Sequence, residues 1–322
     1  MSALLEVSDI HVRFPAGSRL LSALRDGPSS IEAVAGVSFS LKAGETYALV
    51  GESGCGKTTL ARAINGLVKA DEGSIRFDGE EIRGLSDSRM QPIRRHMAMM
   101  FQDPVGSLSP RHSVRTILAE PMRVQGTDKS IDAEVRRLLD LVGLPASFAA
   151  RYPHQLSGGQ ARRIGVARAL ALEPRLVIAD EPTAGLDVSV QGEVLNLLNE
   201  LQERLGIAIL IITHNLNVVR HIAHRMAIMY LGRLVEEGPT DRIFEHPRHP
   251  YSLALLSANP EPDPDARVER LEISGEVPSL LNRPSGCEFH PRCPFRIDPC
   301  PVERPLLIEH VPDHRFACHN PR

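Results

Sequence analysis

The sequence predicts an α/β fold built on a mainly parallel sheet with helices, and three observations predict it. The first is Gly51-x-x-x-x-Gly56-Lys57-Thr58, a phosphate-binding loop set between an apolar run, Thr46–Val50, and a helix-forming run, Thr58–Ile64. The second is a pair of further apolar runs, Leu176–Ala179 and Ile207–Thr213, near-continuous as strands buried on both faces of a parallel sheet are. The third is the polar group at the end of each run: Gly51 with its loop, then Asp180-Glu181, then His214. Ligands of open α/β sheets bind beyond the carboxyl ends of the strands, so three separate stretches aim polar groups at one place.

Residues 1–50 alternate apolar and polar positions with turn residues between, and read as strands of an antiparallel β subdomain, the first over Leu5–Val12. Pro15–Glu32, rich in Gly, Ser, Pro and Arg, reads as a mobile loop inserted among them. In the phosphate loop, Gly51, Gly54 and Gly56 let the chain turn, so that it wraps a polyphosphate with successive N–H groups, Ser53 and Cys55 included. Lys57 reaches the β- and γ-phosphates, and the Thr58 hydroxyl binds Mg2+. Thr59 lies in the first turn of the helix, whose N-terminal dipole favours the anion. A metal-bearing nucleotide such as ATP calls for a carboxylate at a strand end, and Asp180 is placed for Mg2+. Glu181 is the candidate to orient and deprotonate an attacking water; the plain alternative is a helix N-terminal acid before Pro182. His214 is placed to hydrogen-bond the γ-phosphate.

A second phosphate-binding sequence, Leu156-Ser157-Gly158-Gly159-Gln160, lies about a hundred residues on. Ser157 can cap a helix beginning around Gly159, whose free N–H groups favour an anion. Before it, Val114–Val124 and Ile131–Val142 have helical spacing with Arg and Glu on the polar side, which makes residues from about 103 to 160 a helical subdomain.

Taken in order, Gly51–Thr58, Gln102 within Phe101-Gln102-Asp103-Pro104, Leu156–Gln160, Asp180-Glu181, Ala184–Asp187 and His214 resemble the motifs of an ATP-binding cassette (ABC) ATPase, over residues 4 to about 240. The resemblance implies a P-loop NTPase core and a head-to-tail dimer that clamps each ATP between two chains. One chain supplies its Lys57 loop; the other supplies Ser157, Gly158, Gly159 and Gln160. It also implies that Gln102 touches Mg2+ or the lytic water, that Asp187 of the D-loop belongs with the nucleotide-binding residues, and that Phe14 stacks on adenine. Departures from the pattern are small: Asn215 after the histidine where Asp is usual, Gly185 in the D-loop, and Ala161 after the signature.

Composition narrows the setting. A formal net charge of −3 supplies no basic field for DNA or RNA, so no nucleic-acid partner is expected. The N-terminus shows no charged-then-apolar leader, and no run of 18 apolar residues spans a membrane, so an ABC ATPase of this kind must borrow a permease to transport anything. Fifteen of the 25 prolines follow Gly238, a density that disfavours long helices and central strands. The chain therefore divides at sequence level into residues 1–238 and a small Pro/Cys-rich C-terminal extension, 239–322.

Four of the five cysteines, Cys287, Cys293, Cys300 and Cys318, lie in that extension with spacing C-x5-C-x6-C-x17-C. Disulfides do not suit a chain that meets cytosolic ATP. The spacing is wider than usual zinc knuckles, and four thiolates also suit a [4Fe–4S] cluster; zinc and unliganded thiols stay open. Arg283–Cys287, His290–Pro294, Ala317-Cys318-His319, His249-Pro250-Tyr251, Leu253–Leu256 and Ser107–Arg111 resemble the oligopeptide/dipeptide permease ATPases, in the second of the two ATPase types such importers pair. That resemblance implies an iron–sulfur cluster on the four cysteines and a hetero-pair with a second homologous ATPase. It further implies two transmembrane permease subunits, an extracytoplasmic substrate-binding protein, and a peripheral place on the cytoplasmic face of the inner or plasma membrane. Two other classes compete: a soluble ABC protein of repair or translation, which typically carries coiled-coil insertions or two cassettes, and a module that holds ATP with little turnover. Neither coiled-coil insertion nor second cassette is present in the sequence, and Glu181 and His214 are both in place.

Overall fold

Residues 3–16, 30–101, 103, 106–259 and 271–322 are described by the structure, a computed structural model. β1 (Ala3–Pro15) and β2 (Ser30–Lys42) mix buried and exposed positions, as strands with one covered face do. β3 (Thr46–Val50) is buried throughout, and α1 (Lys57–Ile64) comes after the phosphate loop. β4 (Glu72–Phe77) and β5 (Glu80–Glu81) close a hairpin on Asp78-Gly79. Then come α2 (Asp87–Arg94), β6 (Met97–Met100), α3 (Val114–Gln125) and α4 (Ile131–Leu141). Two 3₁₀ turns lead to α5 (Gly158–Ala169), β7 (Leu176–Asp180), α6 (Val188–Leu205) and β8 (Ala208–Thr213). The chain continues through α7 (Leu216–Ile222), β9 (Arg225–Tyr230), β10 (Arg233–Pro239), α8 (Thr240–Glu245) and α9 (Pro250–Ser257). β11 (Ile308–Val311) and β12 (His314–Phe316) end it.

Two units group these elements. One comprises Lys42–Thr46 with Leu85–Ile212. Its strands β6, β7 and β8 pair in parallel, Met97↔Leu176 to Met100↔Ala179 and Leu176↔Ala208 to Asp180↔Ile212. Ile178, Ala179, Ile209 and Leu210 are fully buried, the two-face burial that the apolar runs predict. In the same unit α3, α4 and α5 pack together around Leu118, Leu138, Leu139 and Ile164. Ser113 caps α3 and Gly126, left-handed, ends it, so the helical subdomain starts and stops where its turn residues say.

The other unit comprises Ser2–Leu41, Tyr47–Gly84 and Thr213–Arg322, as far as they are described. It holds an antiparallel sheet of order β2-β1-β4-β5, with a bulge in β1 between Ser8 and His11. β3 instead pairs in parallel with β9, Tyr47↔Arg225 to Val50↔Ile228, and the ladder continues antiparallel through β10, β12 and β11. Pro15 ends β1 and Ser30, Ile31 and Glu32 open β2, so the expected loop over 15–32 is shorter at both ends; residues 17–29 lie outside the described part.

The proline-rich tail also differs from expectation. Its described residues belong to the unit that holds the phosphate loop, and β12 sits between β10 and β11 in the ladder. A three-residue strand fits between prolines, which is why proline density did not reveal it. A buried carboxylate ties the tail to β10. Glu236 accepts the N–H groups of Arg248 (2.7 Å) and His249 (2.8 Å), and its Oε1 lies 2.7 Å from His314 Nε2 on β12. Three segments thus converge on one group that water does not reach.

His249 caps α9, its Nδ1 accepting the Tyr251 N–H at 3.1 Å, and it is 1% exposed. Burial pushes the imidazole from 6.5 down to about 4, against the pull of Glu236. The folded state therefore keeps His249 neutral while the unfolded chain binds a proton below about 6.5. Stability from this group is whole above that pH and is lost as pH falls toward 4, by about 2 kcal/mol between about pH 7 and about pH 5. His249→Asn keeps a capping acceptor and removes the titration. Its melting temperature, measured from about pH 7 to about pH 4, should fall less than that of the wild-type chain; parallel curves would contradict the assignment.

Candidate functional site

The phosphate loop is wedged against two strands of its own unit. A side chain at Gly51 would strike the Met229 carbonyl of β9, and one at Gly56 the Ala33 carbonyl of β2. Gly56 also has φ 105°, which disfavours any side chain. Gly232 donates its N–H to the Cys55 carbonyl at 2.8 Å, fixing the loop's far side. Gly54, at the tip, is exposed with Ser53, and a Cβ there would meet nothing, so the tip lies open to a ligand.

Lys57 is 7% exposed. Its Nζ donates to the carbonyls of Gly51 (2.7 Å) and Glu52 (2.9 Å) and lies 3.6 Å from Cys55 Sγ. The ammonium thus sits inside the curl of the loop, and burial holds the Cys55 thiol protonated by pushing its pKa up. α1 begins at Lys57, behind Gly56, with neither a side-chain cap nor an acidic residue in its first turn. The helix dipole at this end therefore meets no competing carboxylate of its own first turn and favours an external anion. Thr58 and Thr59 are half-buried in that turn. This donor set, with no carboxylate on the helix end, fits a polyphosphate.

Two more expected residues belong to this unit. His214, just past β8, is exposed, and Asn215 after it caps α7, accepting from Asn217 N–H (3.0 Å) and Val218 N–H (3.4 Å). The departure at that position is thus a helix cap. Phe14 is 39% exposed near the end of β1, so its ring is not part of the core.

The other unit holds the acidic strand end and the signature. Asp180, the last residue of β7, is 2% exposed. Glu181 has φ 50°, a left-handed conformation unusual for its type, and is pinned by its N–H to Ile212 O of β8 at 2.8 Å. Ser157 caps α5, Oγ accepting the Gln160 N–H at 3.3 Å, while Gln160 Oε1 accepts the Ser157 N–H at 3.1 Å. The Ser157 cap agrees with the sequence reading; the reciprocal role of Gln160 is a capping box that the sequence reading missed, though Ser-x-x-Gln was its signal. Ser157 and Gly158 remain exposed.

Arg162, one turn into α5, was also missed. It is 5% exposed and donates to the carbonyls of Pro182 and Ala184. That binds the signature helix to the segment carrying Glu181 and the D-loop. Asp187 caps α6 through the Val190 N–H at 3.0 Å, and Gln191 donates to Thr183 Oγ1 at 2.9 Å. Gly158 lies against Leu186, and a side chain at Gly159 would press on Val190. Gln102 lies outside the described residues; next to it, Asp103 accepts the Gly106 N–H at 2.8 Å.

Cys287, Cys293, Cys300 and Cys318 are close enough that their charges would act on one another. Burial pushes Cys287 up to about 12 and Cys318 up to about 11, against the backbone N–H groups of Phe289 and Asn320 and with a smaller push from the neighbouring thiols. Cys300 Sγ lies 3.5 Å from Ile297 N–H, and Cys318 Sγ 3.4 Å from Asn320 N–H. Among the described residues, no three His, Cys, Asp or Glu side chains are arranged to hold a single metal ion. No helix among them is long and apolar enough to cross a membrane.

Comparison with known proteins agrees with this geometry. Residues 34–184 match the family model described as ABC transporter, and residues 235–300 match that of the oligopeptide/dipeptide transporter, C-terminal region. The chain is 46% identical to the oligopeptide transport ATP-binding protein AppF of Bacillus subtilis, over 98% of this chain and 97% of that one. It is 44% identical to the putative oligopeptide transport ATP-binding protein YkfD of the same organism, over 98% and 95%. Identity is 48% to the probable peptide ABC transporter ATP-binding protein y4tS of Sinorhizobium fredii, over 90% and 82%. Among solved structures, it is similar to the ATP-binding cassette MJ0796 in a dimeric post-hydrolysis state with ADP and Pi (TM-score 0.64, 28% identity, 73% of this chain, 98% of that one). It is similar also to cbiO1 from Clostridium perfringens, part of the ABC transporter complex cbiONQ (TM-score 0.66, 29% identity, 76% and 92%). With a phosphate loop, a capped signature helix and relatives matched over nearly its whole length, the chain belongs to the ABC transporter ATP-binding proteins that carry the oligopeptide/dipeptide transporter C-terminal region.

Proposed function

We propose that this chain hydrolyses ATP to drive import of dipeptides or oligopeptides, as the energy-coupling subunit on the cytoplasmic face of a membrane permease. The observation that carries the reading is the uncapped N-terminus of α1 around a buried Lys57, joined in one chain to the oligopeptide/dipeptide C-terminal region. The loop from Gly51 to Thr59 wraps the phosphates with its N–H groups. Lys57 leaves its two loop carbonyls to meet the β- and γ-phosphates, and Phe14 stacks on adenine. Thr58, Asp180 and Gln102 hold Mg2+, which supplies charge neutralisation on the phosphate oxygens.

Glu181 orients and deprotonates the attacking water, and its pinned left-handed backbone aims it. His214 hydrogen-bonds the γ-phosphate and reports its loss. Ser157, Gly158 and Gly159, with Gln160 holding the cap, meet the γ-phosphate of a partner chain, and Asp187 lies beside that contact. Exposure of Ser157 and Gly158, and of Val188 at 85% directly after the D-loop, supports a surface that a second ATPase covers. That second ATPase is a homologue, giving a hetero-pair under two transmembrane subunits fed by an extracytoplasmic binding protein.

Cys287, Cys293, Cys300 and Cys318 hold a [4Fe–4S] cluster, which cross-links the tail. Backbone N–H groups directed at Cys300 and Cys318 sulfur support the reading, since such contacts tune cluster sulfurs.

Glu181→Gln, paired with the cognate ATPase, should cut turnover by about a hundredfold or more and accumulate an ATP-bound pair in gel filtration; turnover near wild type would remove Glu181 as the base. Protein purified without oxygen should be brown and release iron and sulfide, whereas colourless protein with stoichiometric zinc would contradict the cluster.

A further inference from the structure

The phosphate loop carries a carboxylate immediately after Gly51, beside N–H groups arranged for an anion. That group, Glu52, is held from the far end of the chain. Arg292 Nη1 donates to Glu52 Oε2 at 3.0 Å and Nη2 to Oε1 at 3.2 Å, a two-pronged pairing across 240 positions of sequence. Arg292 is 9% exposed and reaches the Tyr230 hydroxyl at 3.4 Å. The Glu52 N–H donates to the Tyr251 hydroxyl at 3.1 Å. Tyr230, Tyr251 and Phe289 pack with centroids 4.7 to 5.4 Å apart, so both tail contacts rest on one aromatic cluster. The Arg292 N–H donates to Phe289 O at 3.0 Å in the turn between Cys287 and Cys293.

We propose that Arg292 is a positioning residue for the nucleotide site, cancelling the charge of Glu52 and holding that side chain in a fixed direction beside the loop. The proposal rests on the proposed function, in which this loop holds a triphosphate. An unpaired carboxylate there would repel the phosphates, whereas a bidentate guanidinium both neutralises it and sets its direction. Lysine supplies the charge without the fork. Glutamine at position 52 removes the charge that needs cancelling.

The test is MgATP affinity of the full chain, with thermal melting alongside. Arg292→Ala should weaken binding about tenfold, and Arg292→Lys by only about threefold. Adding Glu52→Gln to Arg292→Ala should recover most of the loss, because repulsion goes with the carboxylate. A merely structural Arg292 would show no such recovery. If Arg292→Ala does not melt cooperatively, Arg292→Gln takes its place in both the single and the double variant. Wild-type affinity in the single variant, or a double variant no better than the single, overturns the proposal. A wild-type chain that binds no MgATP would overturn the functional reading itself.

Discussion

Backbone contact at the phosphate loop is the constraint on which the rest depends. Gly51 lies against the Met229 carbonyl and Gly56 against the Ala33 carbonyl, with no room at either for a methyl group. The curl that presents N–H groups to a ligand is therefore imposed by β9 and β2 as well as by local glycine preference. β9 is in turn paired to β10, β10 to β12, and Glu236 of β10 is locked by His314 and by the start of α9. The C-terminal region thus braces, through β10, the strand that walls the phosphate loop.

The signature unit obeys a parallel logic. Glu181 holds a left-handed backbone with its N–H committed to β8, and the carbonyls of Pro182 and Ala184 just after it are committed to Arg162 of the signature helix. The helix start capped by Ser157 and Gln160 is held by two reciprocal hydrogen bonds while Ser157 stays exposed, an arrangement that suits the proposed anion contact.

Legibility from sequence tracked how local the cause was. β3, β7 and β8 were readable because burial on both faces writes an uninterrupted apolar run, and α1, α3 and α4 because their spacing and turn residues agree. The Ser157 cap was readable for the same reason. β12 was hidden because three residues between prolines carry no periodicity. Arg162 looked like one more charge in a mixed run; only its burial against Pro182 and Ala184 separates it from a solvated arginine. The Glu52–Arg292 pair had no sequence signal at all, since its cause is the folding of the tail onto the loop.

The central claim is that Gly51–Thr58, with Lys57 at its centre, is where a triphosphate binds. Titration of MgATP into the wild-type chain and into Lys57→Ala, with circular dichroism to verify the fold, tests it most directly. The account predicts saturable one-to-one binding by the wild type and a loss on the order of a hundredfold in a correctly folded variant, as removing a buried charge partner entails. Equal affinity in the two proteins would contradict it.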